Sequence, residues 1–557
     1  MKRFRIAAVI VFVGLGSFAR ASDFDILANE ILEEIWSFHP IAATHLGIHE
    51  YDTRMPDYSA KELHRRSRRF EQLLERLSEV DTTSLSTEER VDYSLLKASL
   101  YDEIFDLQTG RVYEKNPLLY VQSCVNGVYT IMIRHASSSQ SKVAAIVARL
   151  NQVSSFLANG RENLRRPSAV LCEVGINQLA EGERFIEEVF ECYSDSLTQD
   201  VAVQFQQAKT KAVAAMMQFA YWLEKNQDPD AVYSLGREGY NLKLQNVHLI
   251  DMDADSALKI GEYYLLKTTS MIDSLGSLLK PSLRQMVALP QDFGPAHVIE
   301  YREHELRDLR EFVAASGMLT IPEWVGDIRI VETPDFLRDL VPGAAMMPPG
   351  PFDQSRTSYF YTPRLPVTFD MNDAEYFYNY IHNRWFRESA VHEAYPGHHV
   401  QLSIANNHSS AVRKNFRDYF LVEGWALYCE ELMAVSGYYE DDVGAMINAL
   451  EGVRYRAARI IVDVKLQTGV FSYEDALQLL IDTFGGSDAY YSREVKRYIS
   501  NPIQPSSYLI GKLQLQDLLE EYKRAKGSDF KLRDFHDELL SHGSIPTRLI
   551  RKLMLGT

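Results

Sequence analysis

From Ser22 to Ser316, and again from Asp373 to the C-terminus, apolar residues recur at three- and four-residue steps. That is the helical period, and a chain that keeps it so long has little left for a large sheet. It predicts helices at Ser22–Phe38, Ser59–Glu79, Ser86–Leu107, Lys142–Ala158, Val170–Tyr193, Gln199–Lys225, Asp255–Leu279 and Ala296–Ser316. Asn159-Gly160 and Lys280-Pro281 read as helix stops. The pattern breaks between about Pro322 and Phe369, where prolines and glycines crowd (VPGAAMMPPGPF), and Ser358–Tyr361, rich in aromatics, suits a short strand. There is no fixed-period repeat and no low-complexity linker. The expected fold is mainly α: one large helical domain over residues 22–557, in one or two lobes around a cleft, with a small β element near the helix that carries the chemistry.

The N-terminus reads as a processing segment. Lys2, Arg3 and Arg5 precede an apolar run, IAAVIVFVGL, and Ala19-Arg20-Ala21 is a small-x-small cleavage site. The run is about half of what a bilayer span requires, so a cleavable signal peptide ending at Ala21 is expected. No cysteine stands at the cleavage site to carry a lipid, and no later stretch is long and apolar enough to span. The mature chain is expected to be secreted or periplasmic, without a membrane anchor. Removing four positive charges and no acid takes the formal net charge from −17 to −21. Such a surface repels nucleic acid and anionic lipid. The four cysteines, Cys124, Cys172, Cys192 and Cys429, have no C-x-x-C metal spacing, and Cys172 and Cys192 fall on one predicted helix about 30 Å apart, too far to pair.

Residues 392–399 read HEAYPGHH. The start matches H-E-x-x-H, in which two histidines one turn apart on a helix reach one zinc ion. Here Pro396 stands where the second histidine belongs. On a straight helix His398 is about 120° off the face of His392, and His399 is on that face but about 10 Å along the axis. Only a distorted helix can bring either one to His392. Pro396 removes a backbone N–H and Gly397 permits unusual backbone paths, so a bulge or a break is expected here. A helix starting at the Asn372-Asp373 cap should carry His392 and Glu393 at its end. A second helix, EGWALYCEE, begins 25 residues after His398. Its Glu423 is the candidate third ligand, because two histidines and a glutamate leave a position open, as catalytic zinc requires. Glu430, two turns on, is placed to support a ligand.

These motifs, with RYISNPIQPSSYLIGKL and the early WSFHPIAATHLGIHEYD, resemble the bacterial family called domain of unknown function 885, over essentially the whole mature chain. That family is similar to helical zinc peptidases of the thimet-oligopeptidase and Taq-carboxypeptidase kind. The resemblance implies one Zn2+ held by His392, His398 and Glu423, aligning the Gly-His pair of those enzymes with Gly397-His398 rather than with His399. It implies Glu393 as general base and a downstream tyrosine, Tyr508 with Tyr498 in reserve, as oxyanion donor. Tyr498 and Arg497, on an expected loop from Arg497 to Tyr508, and Arg493 just before it are the candidate substrate-binding residues, Arg493 or Arg497 for a substrate carboxylate. Ser358–Tyr361 is a candidate docking edge for a peptide backbone.

The expected activity is hydrolysis of short peptides. The alternatives are hydrolysis of another amide or ester by the same site, or a binding protein with a structural metal. A structural site needs no general base, so Glu393 weighs against the last. No G-x-S-x-G motif and no phosphate-cradling glycine loop is present; Gly485-Gly486-Ser487 reads as a helix-ending turn.

Overall fold

A computed structural model describes residues 22–556 apart from 135–137, 195, 279–294, 339–340, 342, 364–383 and 440–441. The leader, the stop at Lys280-Pro281 and the Asn372-Asp373 cap lie outside the described residues. Among those described, no helix is long and apolar enough to cross a membrane.

The helical period is realised nearly throughout. Ser22 and Asp25 form a reciprocal capping box at the start of Asp23–Phe38, and Ser59 caps Ala60–Ser78. Ala169–Ser194 and Gln199–Asn226 follow the predicted spans. The first of these carries both Cys172 and Cys192, and all four cysteines are free.

Three expectations change. Lys142–Ala158 is two helices, Ser139–Leu150 and Val153–Asn163, divided at Asn151-Gln152. Asn159-Gly160 ends neither of them. Gly160 lies inside the second, where a Cβ would sit 2.9 Å from the Tyr120 ring, so the glycine makes room for packing rather than for a stop. The helix from Thr87 stays α to Ile104 and then widens into a π turn over Phe105–Thr109.

The β element is a three-stranded sheet of β1 (Ile328–Glu332), β2 (Ala345–Met347) and β3 (Ser358–Thr362), in the order β1-β3-β2. β3 runs parallel to β1 and antiparallel to β2. The predicted strand exists, but it is the central one. Both of its edges are already paired, so it has no free edge on which to dock a peptide.

One continuous apolar core joins the N-terminal helices to the helices of the candidate site, from Phe24 through Trp425 to Ile550. The helices Tyr419–Ala434 and Gln504–Lys526 approach each other closely. At their crossing Gly424 meets Gly511: a Cβ on Gly511 would lie 1.8 Å from the Phe420 carbonyl oxygen, and one on Gly424 would lie 2.4 Å from the Gly511 carbonyl carbon. Backbone therefore rests on backbone, and the residues flanking the glycines, Glu423 on one helix and Tyr508 on the other, are brought to the same cavity.

Candidate metal centre

The helix Arg384–Glu393 ends at the first two residues of HEAYPGHH, and a new one, His398–Asn406, begins at the histidine pair. The distortion is thus a break between two helices, not a bulge within one. Tyr395 N donates to Ala390 O at 3.2 Å and Gly397 N to Val391 O at 3.1 Å, which turn the chain tightly back on the end of the first helix. Gly397 is needed there for space. Its φ is −68°, and a Cβ would stand 1.9 Å from the His392 carbonyl oxygen and 2.4 Å from that of Val391. The fully buried Trp425 fixes the turn from the other side, its Nε1–H donating to Pro396 O at 3.0 Å.

The break parts the two histidines that follow it. His398 turns to His392, with ring centroids 4.7 Å apart and planes at 84°. His399 turns the other way. Its Nε2–H donates to Gly326 O at 3.0 Å, so Nδ1 accepts from Ser358 Oγ at 2.8 Å. Burial pushes His399 down to about 4. It is a neutral peg between this helix and β3, and it lies away from the metal cluster.

Nitrogen atoms of His392 and His398 and a carboxylate oxygen of Glu423 lie within 4.8 Å of one another. Glu423 Oε2 is 3.6 Å from His392 Nε2 and 3.3 Å from His398 Nε2. Zinc bonds of about 2.0–2.1 Å at tetrahedral angles put ligand atoms about 3.3 Å apart, so these two edges fit such an ion. Glu423 Oε2 is buried without a hydrogen-bond partner, as is Glu393 Oε2. Three carboxyl groups, Glu393, Glu423 and Glu430, surround two imidazoles. Burial alone would depress His392, but Glu423 and Glu430 outweigh it and lift it to about 9. Burial would likewise raise Glu423, but the adjacent imidazoles of His392 and His398 hold it well below the usual carboxylate range. The cluster favours positive charge, and its donor set is the nitrogen–oxygen set of zinc.

The support behind the cluster is specific. His392 Nδ1 is 2.7 Å from Glu430 Oε1, which leaves Nε2 to face the cluster, and Arg456 Nη2 donates to the same Glu430 oxygen at 3.0 Å. Gln504 holds the other side. Arg497 can only donate, so the Gln504 oxygen faces it at 2.8 Å. Gln504 Nε2 then donates to Glu423 Oε1 and to Tyr508 Oη, each at 3.0 Å. Because Tyr508 Oη accepts that bond, its own proton is free to point elsewhere. The Tyr508 ring stacks against His392 at 6.2 Å, and burial keeps the phenol protonated. Glu393 is also raised, chiefly by burial.

The expected loop from Arg497 to Tyr508 is almost all helix: Asp488–Ser500 and Gln504–Lys526 are joined by only three residues. Tyr508 lines the cavity, as do Arg497 and Glu494. Tyr498 does not; it is fully buried, donating to Glu494 Oε2 at 2.5 Å and accepting from Arg459 Nε at 2.9 Å. Arg493 is exposed and does not line the cavity. Arg497 is committed to Glu494 and Gln504, which makes it a brace for Gln504. The cause is Glu494, a buried carboxylate held well down by Arg497 and Arg459, which draws the cations to itself. Gln504 went unread in the sequence, although it stands four residues before Tyr508 and so shares its helix face.

The cavity in front of the cluster has a volume of about 340 Å³ and is walled by Ala344, by Ala345 and Met346 of β2, by Leu402 and Val422, and by Arg417 and Tyr419. Among the described residues β2 pairs with β3 alone, and its Ala345 and Met346 line the cavity.

A family profile described as "Bacterial protein of unknown function (DUF885)" matches residues 40–554. Two solved structures share the fold. A candidate lipoprotein of unknown function from Shewanella oneidensis superposes with a TM-score of 0.77 at 22% identity, covering 96% of this chain and 100% of its own. A candidate lipoprotein from Colwellia psychrerythraea gives 0.75 at 17%, covering 95% and 98%. No functionally curated protein matches the sequence.

Proposed function

The chain belongs to the bacterial DUF885 family, and from that premise we propose that it is an exported, zinc-dependent hydrolase of short peptides. The observation that carries this is Glu393. A buried carboxyl group with an unpartnered oxygen, next in sequence to one member of a His-His-Glu cluster and facing the same cavity, is the arrangement of a general base beside a metal. A structural metal would need no such neighbour.

His392, His398 and Glu423 would hold the ion. When bound, zinc supplies Lewis acidity, which acidifies a water molecule and polarises a carbonyl group. The chain does the rest. Glu393 Oε2 accepts the proton of the attacking water and passes it to the leaving amine; burial, by raising its pKa, brings it closer to the range in which it can do both. Tyr508 Oη, which accepts from Gln504 and so keeps its own proton free, donates to the oxygen that gains negative charge. Glu430 and Gln504 keep His392 and Glu423 from rotating. The edge of β2 away from β3 supplies backbone groups along which an extended peptide can lie, the part the sequence had suggested for β3. The sequence leader, and the description of two fold relatives as candidate lipoproteins, support an exported or envelope location.

The test is elemental analysis of the purified protein beside His392→Ala, His398→Ala, His399→Ala, Glu423→Ala and Glu393→Gln, followed by digestion of a fluorescent peptide library. The expected result is one zinc in wild type, loss of zinc in the His392, His398 and Glu423 variants, and retention in His399→Ala. Glu393→Gln should keep its zinc and lose about 10²–10⁴ in rate. Zinc-loaded Glu393→Gln with wild-type peptidase activity would exclude the mechanism.

A further inference from the structure

Arg417 stands in the wall of the metal cavity, in the short link before the helix Tyr419–Ala434. Its Nη2 is buried and has no hydrogen-bond partner. The acid next to it in sequence, one beside Arg134 and one in the same cavity are each engaged elsewhere. Asp418 caps Leu421 N at 3.2 Å and holds His248 Nδ1 at 2.8 Å. Asp353 is bound to His49 at 2.9 Å and lies 4.0 Å from Arg134. Glu423 faces the two histidines and Gln504.

The charge that acts most strongly on Arg417 is of its own sign. Burial and the guanidinium of Arg134 bring it down to about 10, which still leaves a cation at neutral pH. The same two arginines, after burial, hold His45 well below its usual range and therefore neutral. A guanidinium is a planar fork of donors matched to a carboxylate, and burying one without an anion is costly. Other buried arginines near the site have found acids: Arg497 and Arg459 share Glu494, and Arg456 holds Glu430. Arg417 lines the same cavity as Arg459 and Arg497, but no acid answers it among the described residues.

We infer that Arg417 is a substrate-binding residue that anchors a carboxylate of the peptide, so that the cavity selects peptides bearing a carboxylate a short distance from the bond cleaved. This rests on the hydrolase reading of the same cavity. Two sources share the chemistry: the C-terminal carboxylate and the side chain of Asp or Glu.

The experiment uses the zinc-loaded full chain and Arg417→Gln and Arg417→Lys, with pools of acetylated tripeptides in matched forms: C-terminal acid against amide, and Asp/Glu against Asn/Gln. Hydrolysis and binding by calorimetry are both read. Wild type should prefer one acid form by about 10- to 100-fold in kcat/KM, and the pair that shows the preference names the source. Arg417→Gln should lose that preference through KM, with zinc content unchanged; Arg417→Lys should keep part of it. The empty Arg417→Gln protein should melt at or above the wild-type temperature, since a half-buried guanidinium with an unanswered Nη2 is removed, whereas a merely structural arginine would lower it. Equal use of acid and neutral forms by wild type, or an undiminished preference in Arg417→Gln, overturns the inference. If no peptide is hydrolysed, the hydrolase reading fails separately. Binding then decides: acid-selective binding lost in Arg417→Gln upholds the anion site, and its absence overturns it.

Discussion

Replacing Gly397 by alanine isolates the one residue that lets HEAYPGHH close on itself. The added Cβ would stand 1.9 Å from the His392 carbonyl oxygen. A carbon–oxygen contact relaxes to about 3.3 Å, so the turn must open by about 1.4 Å. The obstacle is backbone, on the very residue that offers the first nitrogen, and a second carbonyl, that of Val391, lies 2.4 Å away. Metal–ligand distances tolerate about 0.2 Å, so the displacement exceeds the tolerance about sevenfold. Gly397→Ala should therefore fold, with a cost of about 1–3 kcal/mol for overpacking, and bind zinc far more weakly than wild type. Zinc content after dialysis against a chromophoric chelator reads the affinity, and circular dichroism reads the fold. Gly276→Ala, where nothing lies within 4 Å of a Cβ, is the matched control and should leave both unchanged. Stoichiometric zinc at wild-type affinity in Gly397→Ala would refute the claim that His398 reaches His392 through this turn.

Three further outcomes are expected. Glu430→Gln should weaken zinc binding by about 10- to 100-fold in a competition titration, because the His392 ring loses the carboxylate that orients it. Tyr508→Phe should lower kcat by about 10²–10³ with zinc content intact, since the hydroxyl acts on charge that develops during reaction rather than on the ion. His49 bridges Asp353 and Asp52 and is raised to about 9 by the hydrogen bonds it donates to them. Its folded value lies above its unfolded one, so its contribution is full below about pH 6.5 and is lost as pH rises through about 9. The urea midpoints of wild type and His49→Gln should differ at pH 6 and converge by pH 10.

Much of the helical frame was legible because period and caps agree: Ser22, Ser59 and Ser86 each announce the helix they cap. The cluster was legible for a different reason. Histidine, glutamate and a helix breaker in eight residues point to a local distortion whatever its form. What a linear chain hides is which group answers which. Arg493 and Arg497 looked alike as anion binders, yet Glu494 lies between them in sequence and claims only the one that turns inward. Gly160 read as a stop because a glycine's role depends on the ring across from it, and Tyr120 is 40 residues away in sequence. β3 read as an available edge because one strand says nothing of its neighbours.

The Gly424–Gly511 crossing bears on how the protein can move. Packed helices slide past one another when interdigitated side chains can change rotamer to absorb the shift. At this crossing there are none: carbonyl and Cα atoms meet directly. The two helices must then travel together, carrying Glu423, Gln504 and Tyr508 as one wall of the cavity. Any change in the width of the cavity has to come from its other walls, among them Ala345, Met346 and Pro348.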